Sequence, residues 1–255
     1  MSNTVTKPPR AAFNKLLLNE TRLAFRPPLG LLVGIGLPVL LLIIFGTIPG
    51  TTQANKALGG MSYFTVSFPV LIGMSVLLLS VISLPRALVT YREQGILRRL
   101  SVTPVPPIWL LAAQVIVNLC LAVAGIAILT TAGIVALGLP LPKDLPGFFI
   151  GCILTITSLF AIALVITSIA KTNGIANAMG GLLLYLLLFF GGLWIPLQLM
   201  PHTLREVSNW TPLGASVSGL QSAMQGHFPG AQSLVCLVGY TIVFSYLAVR
   251  YFKWE

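Results

Sequence analysis

Six apolar runs, at residues 29–47, 61–84, 108–139, 147–170, 175–196 and 232–250, constrain this chain more than anything else in it. None contains Asp, Glu, Lys or His, and their one Arg is Arg250 at the last boundary. Runs of about 20 apolar residues are long enough to cross a ~30 Å hydrocarbon core as helices. With no water there, each backbone N–H and C=O has to be satisfied within its own segment, which selects the helix. The rest of the composition agrees. The 255 residues are 56% hydrophobic and 8% charged, against roughly 25% charged in a soluble domain. We therefore expect an all-α membrane protein with six transmembrane helices spread over residues 29–255. The third run exceeds what the bilayer requires, so it should tilt or extend into water.

Charge orients these runs. With the N-terminus in the cytoplasm, only Lys56, Lys143 and Arg205 of the 15 Lys and Arg fall outside, and the other twelve fall inside. An even number of spans with both termini cytoplasmic meets the positive-inside rule. That rule accounts for the net charge of +10 without invoking nucleic acid. The basic stretch ahead of residue 29 is too long for a signal peptide, so the first run reads as an uncleaved span. Cys120, Cys152 and Cys236 all lie within apolar runs, which argues for packing and against a disulfide framework or metal cluster.

Two segments outside the runs are unusual. Within the N-terminal segment 1–28, Lys15, Asn19, Arg22 and Arg26 are spaced by four, three and four residues and share one helical face. Phe13, Leu16, Leu17, Leu23 and Ala24 gather opposite, with Glu20 among them. A basic face opposed to an apolar one predicts an interfacial helix lying against membrane lipid headgroups. Pro27 and Pro28 then allow the chain to turn into the first span. The second segment, 197–230, is too long for a connector, and its acidic and basic residues are only Arg205 and Glu206. We expect it to form short re-entrant helices before the last span.

Little chemistry is present. GxxxxGK[ST] occurs nowhere, so the chain offers no ATP site of its own. His202 and His227 share their segment with a single carboxylate, Glu206, and HExxH is absent; no metal site is expected. Ion-coupled carriers place an ionisable group near mid-membrane, and intramembrane enzymes need an acid, base or nucleophile. The runs supply only mild polarity. Gln114 and Asn118, four residues apart, share a face, and Asn177 lies in the fifth run. Such groups either bond between helices or line a weakly polar path for a solute.

Residues 91–107, YREQGILRRLSVTPVPP, stand between two runs and combine charge with an apolar side. Arg92, Glu93, Arg98 and Arg99 keep the segment out of hydrocarbon, Gly95 interrupts it, and Pro104, Pro106 and Pro107 end it. No partner charge for Glu93 is evident elsewhere in the sequence. The stretch resembles the cytoplasmic signature RE-x-G-x-L-x-x-L-x-x-T-P of the type-2 ABC exporter permeases, with Arg92, Glu93, Gly95, Leu97, Leu100, Thr103 and Pro104 in the matching places. GGLWIPLQLMP (191–201) and WTPL (210–213) resemble the same family after its fifth span.

This resemblance implies a transport subunit that is not itself an enzyme, in a bacterial cytoplasmic membrane. It would export an amphipathic compound, drug-like or lipid-like. Two copies of a separate ABC ATP-binding subunit would bind the ATP and Mg, and a second permease copy would complete the dimer. A coupling helix within 86–107, including Arg98 and Arg99, would rest on the ATPase. Gln114, Asn118 and Asn177 become candidates for the substrate path. The segment 197–230, with Pro196, Pro201, Pro212 and Leu220, becomes a candidate outer gate. A secondary carrier or a non-transporting membrane component remains the alternative.

Overall fold

The structure, a computed structural model, describes residues 10–26, 28–96, 99 and 107–251. Among these the regular structure is helical, apart from an isolated bridge between Ala54 and Ser62. Helix α1 is Arg10–Ala24 and α2 covers 28–47 with a π-helical turn at Leu32–Gly36. Helix α3 is Tyr63–Glu93 and holds a second π turn at Leu78–Ser83. Helix α4 is Pro107–Thr131, prolonged by a π turn at Ala132–Ala136. Helices α5 (Leu145–Ile169), α6 (Asn173–Phe190), α7 (His202–Asn209), α8 (Pro212–Gln225) and α9 (Ala231–Tyr251) follow. Five of these, α3, α4, α5, α6 and α9, are long and apolar enough to cross a membrane. The first apolar run is also helical, but its apolar stretch, Leu32–Thr47, is shorter.

Helix α3 lies at the centre. Nearly all of its apolar window is buried, against about a fifth of that of α4, α6 or α9. Helices α2, α4, α5, α6 and α8 all pack on it. Small residues permit this. Ser75 Oγ donates to Gly34 O at 2.8 Å, at the π turn of α2, where an opened helical ladder leaves a carbonyl available. A Cβ on Gly180 of α6 would come within 2.8 Å of Val81 O in the π turn of α3. Leu213, fully buried at the start of α8, sits where a Cβ on either Gly73 or Gly191 would meet it at 2.5 Å. Without hydrophobic force between helices in lipid, close backbone approach of this kind holds a bundle together.

Two element boundaries differ from the sequence pattern, each for a local reason. The second run continues as helix nine residues past Leu84, through Arg86 and Arg92 to Glu93, because Arg and Glu are good helix formers once clear of the hydrocarbon. The fifth stops at Phe190, before Gly192, whose φ of 86° is one that side chains rarely adopt. Segment 197–230 contains a 3-10 turn at Leu197–Leu199 and two short α-helices, α7 and α8. Helix α8 is buried over most of its surface, with Ser216 bonded to Thr155 of α5 and Gln221 Nε2 donating to Val66 O of α3 at 3.0 Å. Cys152 and Cys236 are buried free thiols, and Cys120 is exposed.

Helix α1 packs on α4. Phe13 meets Trp109 edge-on with ring centroids 5.5 Å apart, and Leu16, Leu17 and Ala24 are half-buried. Leu23, grouped with them by periodicity, is instead exposed, as are Leu18 and Phe25. Glu20, which interrupts the apolar face in the sequence, is the residue this contact is built around. It is 4% exposed. Its carboxylate accepts from Tyr91 Oη at 2.9 and 3.0 Å and from Gln114 Nε2 at 2.6 Å, joining α1 to α3 and α4. Asn118 extends the cluster by donating to Gln114 Oε1 at 3.1 Å.

Burial pushes the Glu20 carboxyl above the ordinary glutamate range, and the bonds from Tyr91 and Gln114 offset part of that. The folded form thus holds the proton more tightly than the unfolded one. Stability from this group is complete below the unfolded pKa and declines as pH rises through the folded pKa. In detergent, the Tm difference between the parent protein and Glu20→Gln should therefore shift against the parent as pH increases over that window. Gln114→Leu, which removes a donor from a buried carboxylate, should cost about 1–3 kcal/mol at neutral pH.

Candidate functional site

The end of α3 and the short turn between α5 and α6 meet at one end of the bundle, and two adjacent residues make the junction. The last carbonyls of a helix and its first N–H groups have no partner inside the helix, and they carry partial negative and positive charge respectively. Arg92 Nη1 donates to Thr167 O at 3.2 Å and Ala170 O at 3.1 Å, at the C-terminus of α5. Glu93 Oε1 accepts the backbone N–H of Asn173 at 2.8 Å, in the first turn of α6, and Oε2 accepts from the Asn173 side chain. Asn173 Nδ2 also donates to Thr90 Oγ1 at 3.0 Å. Thr172 caps α6 itself, accepting Ile175 N–H at 3.4 Å. A cation on the C-terminus of one helix and an anion on the N-terminus of the next is the favourable arrangement in both places. The partner of Glu93 is thus a helix end, which no count of opposite charges in the sequence would find.

Beyond Glu93 the chain leaves α3. Gly95 has φ of 65°, a left-handed conformation that glycine takes without strain and that ends the helix. Ile96 and Arg99 are again helical, and Arg99 N–H donates to Gly95 O at 3.1 Å. Arg99 is exposed. Of the other motif residues, Leu97, Arg98, Leu100, Thr103 and Pro104 lie outside the described residues.

The remaining candidates fall in several places. Lys15, Asn19 and Arg22 are exposed along α1, and Arg26 is exposed in the bend that follows its end at Ala24. Gln114 and Asn118 do share a face, and that face meets Glu20 and Tyr91 inside the protomer, with Gln114 7% and Asn118 3% exposed. Asn177 is exposed on α6. At the opposite end of the bundle, Pro196, Pro212 and Leu220 are buried and Pro201 is exposed. Leu220 lies against Gly151 of α5. His202 Nε2 is 3.6 Å from Glu206 Oε1 on an exposed turn of α7, and among the described residues no group of three metal-ligating side chains gathers. Sequence reasoning missed Asn173, Thr172 and the role of Glu20. The signal for the first two was a short AKTNG turn between runs, at 170–174, in which Thr and Asn are helix-capping residue types.

Comparison with known proteins agrees with this architecture. The chain is 26% identical over 175 residues to a Bacillus subtilis (strain 168) protein described as "Putative transport permease YvfS", covering 66% of this chain and 69% of that one. Residues 12–224, from within α1 to near the end of α8, match the family described as ABC-2 type transporter. An integral membrane transport permease is what five apolar helices and this match describe, and the chain belongs to the ABC-2 type transporter family.

Proposed function

We propose that the chain is the membrane subunit of an ATP-driven exporter that moves an amphipathic, drug-like or lipid-like compound out of the cytoplasm or the inner leaflet. Two copies of a separate ATP-binding subunit supply the energy, and a second permease completes the path. The observation that carries this reading is the continuity of α3. The helix most enclosed by the others carries the first signature residues, Arg92 and Glu93, at its end, so displacement of the signature segment acts on the core of the bundle. In this reading the signature end and both termini are cytoplasmic. Helix α2, 20 residues at 1.5 Å each, is the sixth span, and α1 lies at the inner headgroup layer. The pair α7 and α8 dips into the outer leaflet and caps the exit.

The test is copurification. Tagged permease, expressed with a lone ATP-binding cassette subunit encoded beside it, should retain that subunit, and the complex should hydrolyse ATP faster with some members of an amphipathic panel. Failure to retain any such subunit would remove the ATP-driven reading.

For the outer cap, single cysteines at Ser218, Ser222 and Gln225, the less buried stripe of α8, should react with a membrane-impermeant thiol reagent applied outside. Positions 216, 217, 219, 220, 221, 223 and 224 should not. Uniform labelling would mean a solvated loop.

For α1, replacing Lys15, Arg22 and Arg26 by Glu should weaken its attachment to anionic vesicles by roughly 1 kcal/mol per cation removed. Spin labels at these positions should report headgroup depth. Full aqueous exposure on every face of α1 would refute the interfacial assignment.

A further inference from the structure

Arg92 and Glu93 are neighbours in the chain, yet they hold two different helices. The guanidinium takes carbonyls at the C-terminus of α5, and the carboxylate takes the backbone N–H and side chain of Asn173 at the start of α6. The turn between those helices, 170–172, is thereby gripped on both sides by the last turn of α3. Thr90, one turn earlier, adds a third contact to Asn173. Immediately afterwards Gly95 breaks the helix. The contacts stand on the α3 side of that break, where the main chain is still held by helical bonds, Gln94 N–H to Thr90 O and Gly95 N–H to Arg92 O, each at 3.0 Å.

We propose that Arg92 and Glu93 are positioning residues that clasp the α5–α6 junction to the end of α3, so that the three helices move as one body when the signature segment is displaced. Glu93 acts within this chain and not against the ATP-binding subunit. A push arriving through residues 94–107 is shared among α3, α5 and α6 because α3 cannot slide past the junction without stripping two charged groups from helix ends. Oriented partial charges at both ends make that costly, and the donors and acceptors left behind would have no partner in their helices. The source of the displacement rests on the proposed function, whereas the clasp is a property of this chain alone.

Spin labels at two exposed positions, Gln94→Cys and Lys171→Cys, on a background lacking the three native cysteines, report the separation of the α3 end from the junction by dipolar broadening. The permease is measured with its ATP-binding subunit, first without nucleotide and then with ATP and Mg. In the parent the broadening should be strong and the same in both conditions. In Asn173→Asp, which sets a second carboxylate against Glu93, and in Glu93→Ala, it should be reduced without nucleotide and should fall further on adding ATP. A merely structural role would give no nucleotide dependence in either variant. Broadening that changes with ATP in the parent, or parent-like broadening in both variants, would overturn the clasp. Should no ATP-binding subunit copurify, the proposed function fails separately. The nucleotide-free comparison still decides the clasp, with loss of broadening in the variants supporting it and unchanged broadening overturning it. Monodisperse elution of each variant shows that it has folded.

Discussion

The enclosure of α3 is the constraint on which the rest of the structure depends. A helix surrounded by five others can present no polar face, so its hydroxyls turn back on the backbone or onto a neighbour. Ser67 Oγ donates to Tyr63 O and Ser75 Oγ to Gly34 O. Small residues must then occur wherever a neighbour approaches, on the neighbours at Gly34 and Gly180 and on α3 itself at Gly73. The π turns in α2 and α3 fall at these crossings. Each opens one turn of the hydrogen-bond ladder, and in α2 the carbonyl next to that opening is the one Ser75 occupies. A close-packed interior of this sort passes on displacement instead of absorbing it.

Charge is handled with equal strictness. Removing an ionised group from water costs several kcal/mol unless it is paired or hydrogen-bonded. Arg92, Glu93 and Glu20 are met by helix ends or by oriented neutral donors. Arg92 and Glu93 use the partial charges of α5 and α6. Glu20 uses a phenol and an amide. Its position also bears on mechanism, since Gln114 is only two turns into α4 and the cluster therefore sits near the signature end. That location suits a fastening between α1 and the bundle better than a mid-membrane coupling site.

The opposite end is built differently. Helix α8 has no charged residue and is held by packing, with Leu213 between two glycines, Leu220 against Gly151, and the Gln198–Gln221 pair reaching Val66 O. Packing of this type is short-ranged, and the neutral hydrogen bonds of Ser216 and Gln221 set the register of α8 against α5 and α3. The bundle thus has one end locked by charge on helix termini and one held by fit.

Much of this was legible in the residues. Long apolar runs admit only helices in lipid, and five of the six are long enough to cross as seen; Lys15, Asn19 and Arg22 are exposed on α1, whereas Arg26 falls two residues past its end at Ala24. The family match bears out the resemblance that the signature residues carried. What local pattern could not reveal is who meets whom. Glu20 looked like a flaw in an amphipathic face because periodicity records spacing and not partners, and its partners, Tyr91 and Gln114, are 71 and 94 residues away. Gln114 and Asn118 were correctly placed on one face, but whether that face looks onto a path or onto a carboxylate depends on where α1 docks. Glu93 binds a helix terminus, and a terminus acquires its partial charge only when the helix forms. Composition and spacing thus determined the class of the protein, its helices and its signature segment. Burial, partner choice and the grip of α3 on the α5–α6 junction were decided only in the folded chain, because they arise from contacts between segments that are distant in sequence.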